Sequence, residues 1–202
     1  MDFAHGSDSL SVGARVPLGD LCHATTVWVV RRYDKFQTQF VQDITGLYNP
    51  TDADFARNRL KPYRATRVVG NLITNAGWTR LMNLLTNQGG TQALTASAVR
   101  IGVGTGTTAE AYTDNDLSGA SKFFQPVTGA GSLGTRQLTF TASFGGSDAN
   151  FAWNEFGLDV GTPTVTAGST VNALLFNHKA NVAQGSKASG QTWTATATLS
   201  FT

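Results

Sequence analysis

Acid–base chemistry on a sugar needs two carboxyl groups about 5 to 9.5 Å apart, one to protonate and one to attack or activate water. Three residues qualify by type and setting. Asp114 and Asp116 share one side of Tyr112–Leu117 if that stretch is extended, and Glu155 stands between aromatics in FAWNEFGL. The competing reading is a solvated loop for the aspartates and a paired or rim carboxylate for the glutamate. A chain with only 14% charged residues favours that second reading. Asp114, Asn115 and Asp116 also offer oxygen ligands, but the twelve-residue calcium loop with its central Gly and final Glu is absent. In Gly102-Val103-Gly104-Thr105-Gly106 the third glycine comes one residue early for a dinucleotide fingerprint, and no helical stripe follows. A phosphate-binding P-loop would need a lysine there, and none is near. His5, His23 and His178 are scattered, without the paired spacing of a zinc site, and no serine sits in a G-x-S-x-G elbow. These patterns predict no catalytic, cofactor-binding or metal-binding site.

One charge feature survives scrutiny. No acidic residue lies between Asp54 and Glu110, while Arg57, Arg59, Lys61, Arg64, Arg67, Arg80 and Arg100 are basic. The first five, Arg57, Arg59, Lys61, Arg64 and Arg67, are the candidate partner interface. Arginine contacts carboxylates in bidentate fashion, so the stretch suits an acidic protein patch; a solvated loop is the plain alternative. A net charge of +2 is too small to call for nucleic acid, which would bind here through salt-sensitive contacts alone.

The elements that must carry these side chains are mostly strands. Among 202 residues there are 28 Thr, 13 Ser and 22 Gly, a composition of strands and tight turns, and 41% hydrophobic residues suffice for a core. A single cysteine, Cys22, excludes an internal disulfide framework. No apolar run nears the roughly 20 residues of a membrane span, and MDFAHGSDSL lacks the layout of a secretory signal. Residues 1–24 read as an extended arm ordered against a neighbour, and 25–202 as one β-rich domain. TTVWVVRRYD predicts a strand, with a turn at Asp34–Lys35 and a partner strand in FQTQFVQDI, then an irregular Pro-bounded segment to a short strand at Val68–Val69. The spacing of Trp78, Leu81, Met82 and Leu85 predicts an amphipathic helix near 75–87, capped by Thr74 or Asn75 and laid on a sheet. Further strands are expected at 98–103, 136–144, 150–158 and 172–180. The last eleven residues alternate without a fault, Trp193, Ala195, Ala197, Leu199 and Phe201 against threonines and Ser200. So uncharged a strand must be central or covered. The fold class is therefore mainly β, an antiparallel sandwich or jelly-roll-like domain with one short helix. Trp28, Trp78, Leu81, Leu85, Phe140, Trp193, Leu199 and Phe201 are the expected core.

NLITNAGWTRLMNLL, IGVGTGTTAEAYTDNDL, FAWNEFGL and LLFNHKA together resemble structural proteins of tailed bacteriophages. In that group a strand runs into an N-L-x-T-N-A-G helix, and a GxGT…TDxxL segment precedes an E-x-G-L strand. The matching positions here are Asn71–Gly77, Gly102–Leu117 and Glu155–Leu158. The resemblance implies a non-enzymatic virion protein that works through subunit contacts, made and assembled in the host cytoplasm. Its expected partners are further copies of itself, with three-fold or six-fold symmetry, and other virion proteins. The absence of a long shaft or receptor-binding tip favours a tail or adaptor component, or a capsid decoration protein. The alternative is a carbohydrate-binding β-sandwich in which Phe151, Trp153 and Tyr112 form a stacking platform.

Overall fold

The computed structural model describes residues 24–88, 91–128 and 132–201, the side chains of 132–134 excepted. The arm expected over 1–24 lies outside these residues, apart from Ala24, which opens the first strand.

Two five-stranded antiparallel sheets face each other. The first contains β1 (Ala24–Tyr33), β2 (Arg64–Val69), β6 (Ser132–Gly134), β7 (Gln137–Phe144) and β10 (Thr192–Phe201), in the order β2-β1-β10-β7-β6. The second contains β3 (Leu72–Ile73), β4 (Val99–Gly104), β5 (Lys122–Pro126), β8 (Glu155–Thr166) and β9 (Ser169–Lys179), in the order β3-β9-β8-β4-β5. The sandwich follows from period-2 patterning, since each sheet has one apolar face to hide. Trp28 and Val30 of β1, Phe140 and Ala142 of β7, and Trp193, Ala195, Ala197 and Leu199 of β10 meet Ile101, Val103, Phe156, Leu158 and Phe176 from the second sheet. Trp28 stacks on Phe156 across the layers, ring centres 5.0 Å apart. As its patterning requires, β10 is the central strand of its sheet.

Two departures from the sequence reading concern the stretch between β1 and β2. FQTQFVQDI is not a strand: α1 (Lys35–Thr45) is a helix. Phe36, Thr38 and Phe40 mimic strand alternation, but Asp34 and Gln37 form a reciprocal capping box and Gly46 closes the helix in the left-handed conformation. The segment after it, expected to be irregular, contains α2 (Asp52–Arg57), opened by the Thr51–Asp54 capping box. Together they bury a small second core of Tyr33, Val41 and Phe55, the two rings parallel and 3.6 Å apart. This pair of helices also covers one end of the first sheet. Thr192 donates its N–H to Thr38 Oγ1 at 3.0 Å, and the Thr194 hydroxyl donates to Asp52 at 2.7 Å. Both threonines are therefore buried rather than solvated.

The helix predicted near 75–87 is α3 (Asn75–Leu85), capped by Thr74, whose hydroxyl accepts the Gly77 N–H at 3.0 Å. It sits on β9 at Gly77, where any Cβ would run into the Phe176 carbonyl oxygen. The expected core along its stripe is only partly realised. Trp78 and Leu81 are half-buried, as is Phe201, while Met82 is exposed and Leu85 keeps 79% of its surface. Close approach at Gly77 brings the start of the helix down onto the sheet, and its distal turn overhangs.

Candidate functional site

Two of the carboxylates singled out by the sequence, Glu155 and Asp114, are joined through His178. Between β4 and β5 the chain leaves Gly104 and returns at its ladder partner Lys122, so residues 105–121 form a loop with adjacent ends. The loop lies over the outer face of the second sheet, its Leu117 packed against positions 102 and 157, both glycine. Glu155, at the start of β8, is fully buried beneath it. One carboxylate oxygen accepts the backbone N–H groups of Gly106 (2.9 Å) and Gly119 (2.8 Å). The other accepts the N–H and hydroxyl of Ser118, both at 2.9 Å, and contacts His178 Nε2 at 3.0 Å. A Cβ at Gly106 or Gly119 would collide with this arrangement, so the glycines serve the approach of backbone to carboxylate.

His178 continues the chain of contacts, its Nδ1 lying 2.7 Å from Asp114, which also accepts the Ala111 N–H. Asp116 pairs with the buried Lys122 ammonium at 2.7 Å and accepts the Thr170 N–H at 2.9 Å. Scattered in sequence, His178 is joined to both carboxylates only by the antiparallel return of β9 alongside β8. The words Gly102–Leu117, Glu155–Leu158 and LLFNH thus describe one clasp that holds a long loop.

Its electrostatics fix what it can do. Burial acts to raise the Glu155 pKa, but His178 and the N–H groups of Ser118, Gly119 and Gly106 outweigh it and hold the value at about 2. Such a group is ionised throughout the neutral range and has no proton to deliver as a general acid. Burial opposes the charged form of His178, yet the Glu155 and Asp114 carboxylates prevail and raise its pKa above the ordinary. Nearby Asp159 goes the other way: burial, helped by the Asp116 charge, pushes it up to about 7. Glu155, His178 and Asp114 are strung in line rather than aimed at one point. Among the described residues no group of three or more His, Cys, Asp or Glu is arranged to hold a metal ion.

The candidate interface residues are exposed but do not share one face. Arg57 pairs with Asp54 at 3.0 Å, and Arg59 and Lys61 follow in the connection to β2, Arg59 with φ 58°. Arg64 begins β2 on the side of its ladder partner Arg32, whereas Arg67, three residues on, lies beside Val29 on the outer side. Arg64 and Arg67 therefore lie on opposite faces of β2.

Next to the Lys61 backbone lies a surface the sequence did not reveal. The outward side of α1 carries Phe36, Phe40 and Ile44 at i, i+4 and i+8, and Leu47, Tyr48 and Tyr63 in the chain between α1 and β2 are exposed as well. All are more than two-fifths exposed, Phe36 by 84%. Gln37 ties this helix to the basic turn, donating from its amide to the Lys61 carbonyl at 2.9 Å. The missed signal was the capping box, which would have set the period of the segment at 3.6. The proposed aromatic platform does not form, because Trp153 is fully buried among Phe144, Phe156 and Trp193.

Comparison with protein-family models, with curated proteins and with solved structures finds no match.

Proposed function

We propose that this chain is a non-enzymatic structural protein of a tailed-phage virion, acting through subunit contacts as a tail or adaptor component or as a capsid decoration protein. The observation that carries the reading is the exposed apolar ridge of α1, a helix tied through Gln37 to the Lys61 carbonyl of the basic connection. A ridge of this kind, next to a basic connection, suits a subunit surface that is covered on assembly by a partner with an acidic border. The saturated contacts of Glu155 fit the same picture, since they serve the loop and leave no free carboxylate there. The resemblance of the α3 and loop segments to phage structural proteins supplies the setting. A homo-oligomer of three-fold or six-fold symmetry, joined to other virion proteins, is the expected assembly.

The test is immunogold labelling of intact virions with antibody against the chain, with the solution mass of the purified protein measured in parallel. Gold on heads is expected for a decoration protein and gold at the tail or neck for a tail component. Unlabelled particles together with a stable monomer overturn the proposal.

A further inference from the structure

The inner row of β1 runs Trp28, Val30, Arg32, so a cation follows two core residues on the face that packs the sandwich. Arg32 keeps only 2% of its surface, and its guanidinium lies over the Trp193 ring, 4.5 Å from the centre. Nη2 donates to the Gln184 carbonyl at 2.9 Å and to Gln184 Oε1 at 2.8 Å. That glutamine is itself fixed. The Thr66 hydroxyl donates to its Oε1, and its own amide donates to the Val182 carbonyl at 2.7 Å. Nε and Nη1 of Arg32 carry the other three of the five guanidinium N–H bonds, and they are buried with no acceptor among the described residues.

The strand alongside adds charge instead of removing it. Exposed Arg64 of β2 is the ladder partner of Arg32 and shares its side. Like charges directly opposite repel, and burial together with the Arg64 charge lowers the Arg32 pKa. Among the described residues the arginine ion pairs are Arg31–Asp52 and Arg57–Asp54, so neither Arg32 nor Arg64 is compensated. Asp52 meets Arg31 and Tyr33, whose side chains leave β1 on the face opposite Arg32. A buried charge is costly unless it is paired.

We propose that Arg32 and Arg64 bind one small oxyanion, a carboxylate or a phosphate, between them. Such a group has several oxygens and can accept from both guanidinium forks at once, which a halide cannot. Gln184 and the Trp193 ring hold the inner arginine, and Arg64 supplies the outer half of the site. Because β2 is the edge strand of its sheet, the anion reaches the pair past Arg64 without crossing the core. The site lies within one chain and stands apart from the assembly proposed above.

The test titrates inorganic phosphate, and separately acetate, into the full-length chain at an ionic strength held constant with sodium chloride. At least one of the two is expected to bind once per chain by calorimetry, to raise the thermal midpoint and to shift the Arg32 Nε–H resonance in NMR spectra. Arg64→Gln should weaken binding at least ~10-fold, whereas Arg67→Gln, on the opposite face of β2, should leave it within ~2-fold. Arg32→Gln should abolish binding; if that variant does not fold, the contrast between Arg64→Gln and Arg67→Gln still decides. An Arg32 resonance that does not move, a midpoint equally responsive to chloride, or equal losses at Arg64 and Arg67 would overturn the proposal. Binding that appears only as the solution mass rises would also overturn it, assigning the oxyanion to a neighbouring subunit.

Discussion

At the residue scale the buried clasp makes stability depend on pH in three separable ways. Glu155 is held at about 2 against an ordinary 4.5, so its contribution is complete above pH 4.5 and lost as pH falls towards 2. The loss should amount to ~3 kcal/mol, visible as a falling denaturation midpoint through that window. His178 has a raised pKa, so its contribution is full below its ordinary 6.5 and disappears as pH rises through the folded value. Asp159, raised from 3.8 to about 7, binds its proton more tightly when folded, and stability declines as pH climbs between those values. Asp159→Asn keeps the oxygen that accepts the Val160 N–H and removes the buried charge. The variant should gain up to ~4 kcal/mol at pH 8 and little at pH 3, measured by urea unfolding at both. An equal effect at both pH values would contradict the burial argument. Asp159 could not be picked from the sequence by type, whereas Glu155, Asp114 and Asp116 could. Their roles could not, because Glu155 meets its donors across 36 to 49 residues of chain and His178 across 23.

Element by element, legibility tracked periodicity. β7 and β10 alternate over eight and ten residues, and α3 repeats its apolar positions through three turns, so patterning alone placed all three. In α1 the first five residues satisfy both periods, and its apolar stripe faces outward, where burial could not have explained it. Local capping decides the matter, which makes Asp34 the element's most sensitive residue. Asp34→Ala should cost ~1 kcal/mol, seen as a lowered thermal midpoint with the sheets unchanged by circular dichroism. At α3 the critical position is Gly77. Gly77→Ala should destabilise by ~1–3 kcal/mol as the helix is pushed off Phe176, with Trp78 emission moving to the red. Leu85, expected in the core, and Met82 of the same stripe stay exposed for a geometric reason. A helix seated at one end by a glycine contact cannot bury its far turn in the same sheet.

For the whole molecule the relevant quantity is the apolar surface left on the outside. Phe36, Phe40, Ile44 and Leu47 lie together on one side, and covering such side chains is worth ~1.5–3 kcal/mol apiece. If the proposed assembly uses this side, Phe36→Asp with Phe40→Asp should leave the fold intact and weaken self-association by a factor of ~100 or more, read from sedimentation equilibrium. Association that persists at full strength would move the subunit contact elsewhere. Salt gives an independent reading. Contacts through Arg59, Lys61 and Arg64 should weaken between low and high ionic strength, whereas contacts through the ridge should hold.

The position of β10 has a consequence for how the protein is made. Residues 24–33 and 137–144 must both wait for residues 192–201, the strand that joins them, before the first sheet exists. The second sheet depends only on residues 72–179. On the ribosome the strands of the second sheet are therefore all synthesised before the first sheet has its central strand. Throughout translation of the intervening stretch, Trp28, Val30 and Phe140 remain without their neighbours on β10. Apolar surface exposed over that interval is what makes folding chains prone to aggregate, and its length is set by elongation rate rather than by any property of the finished fold.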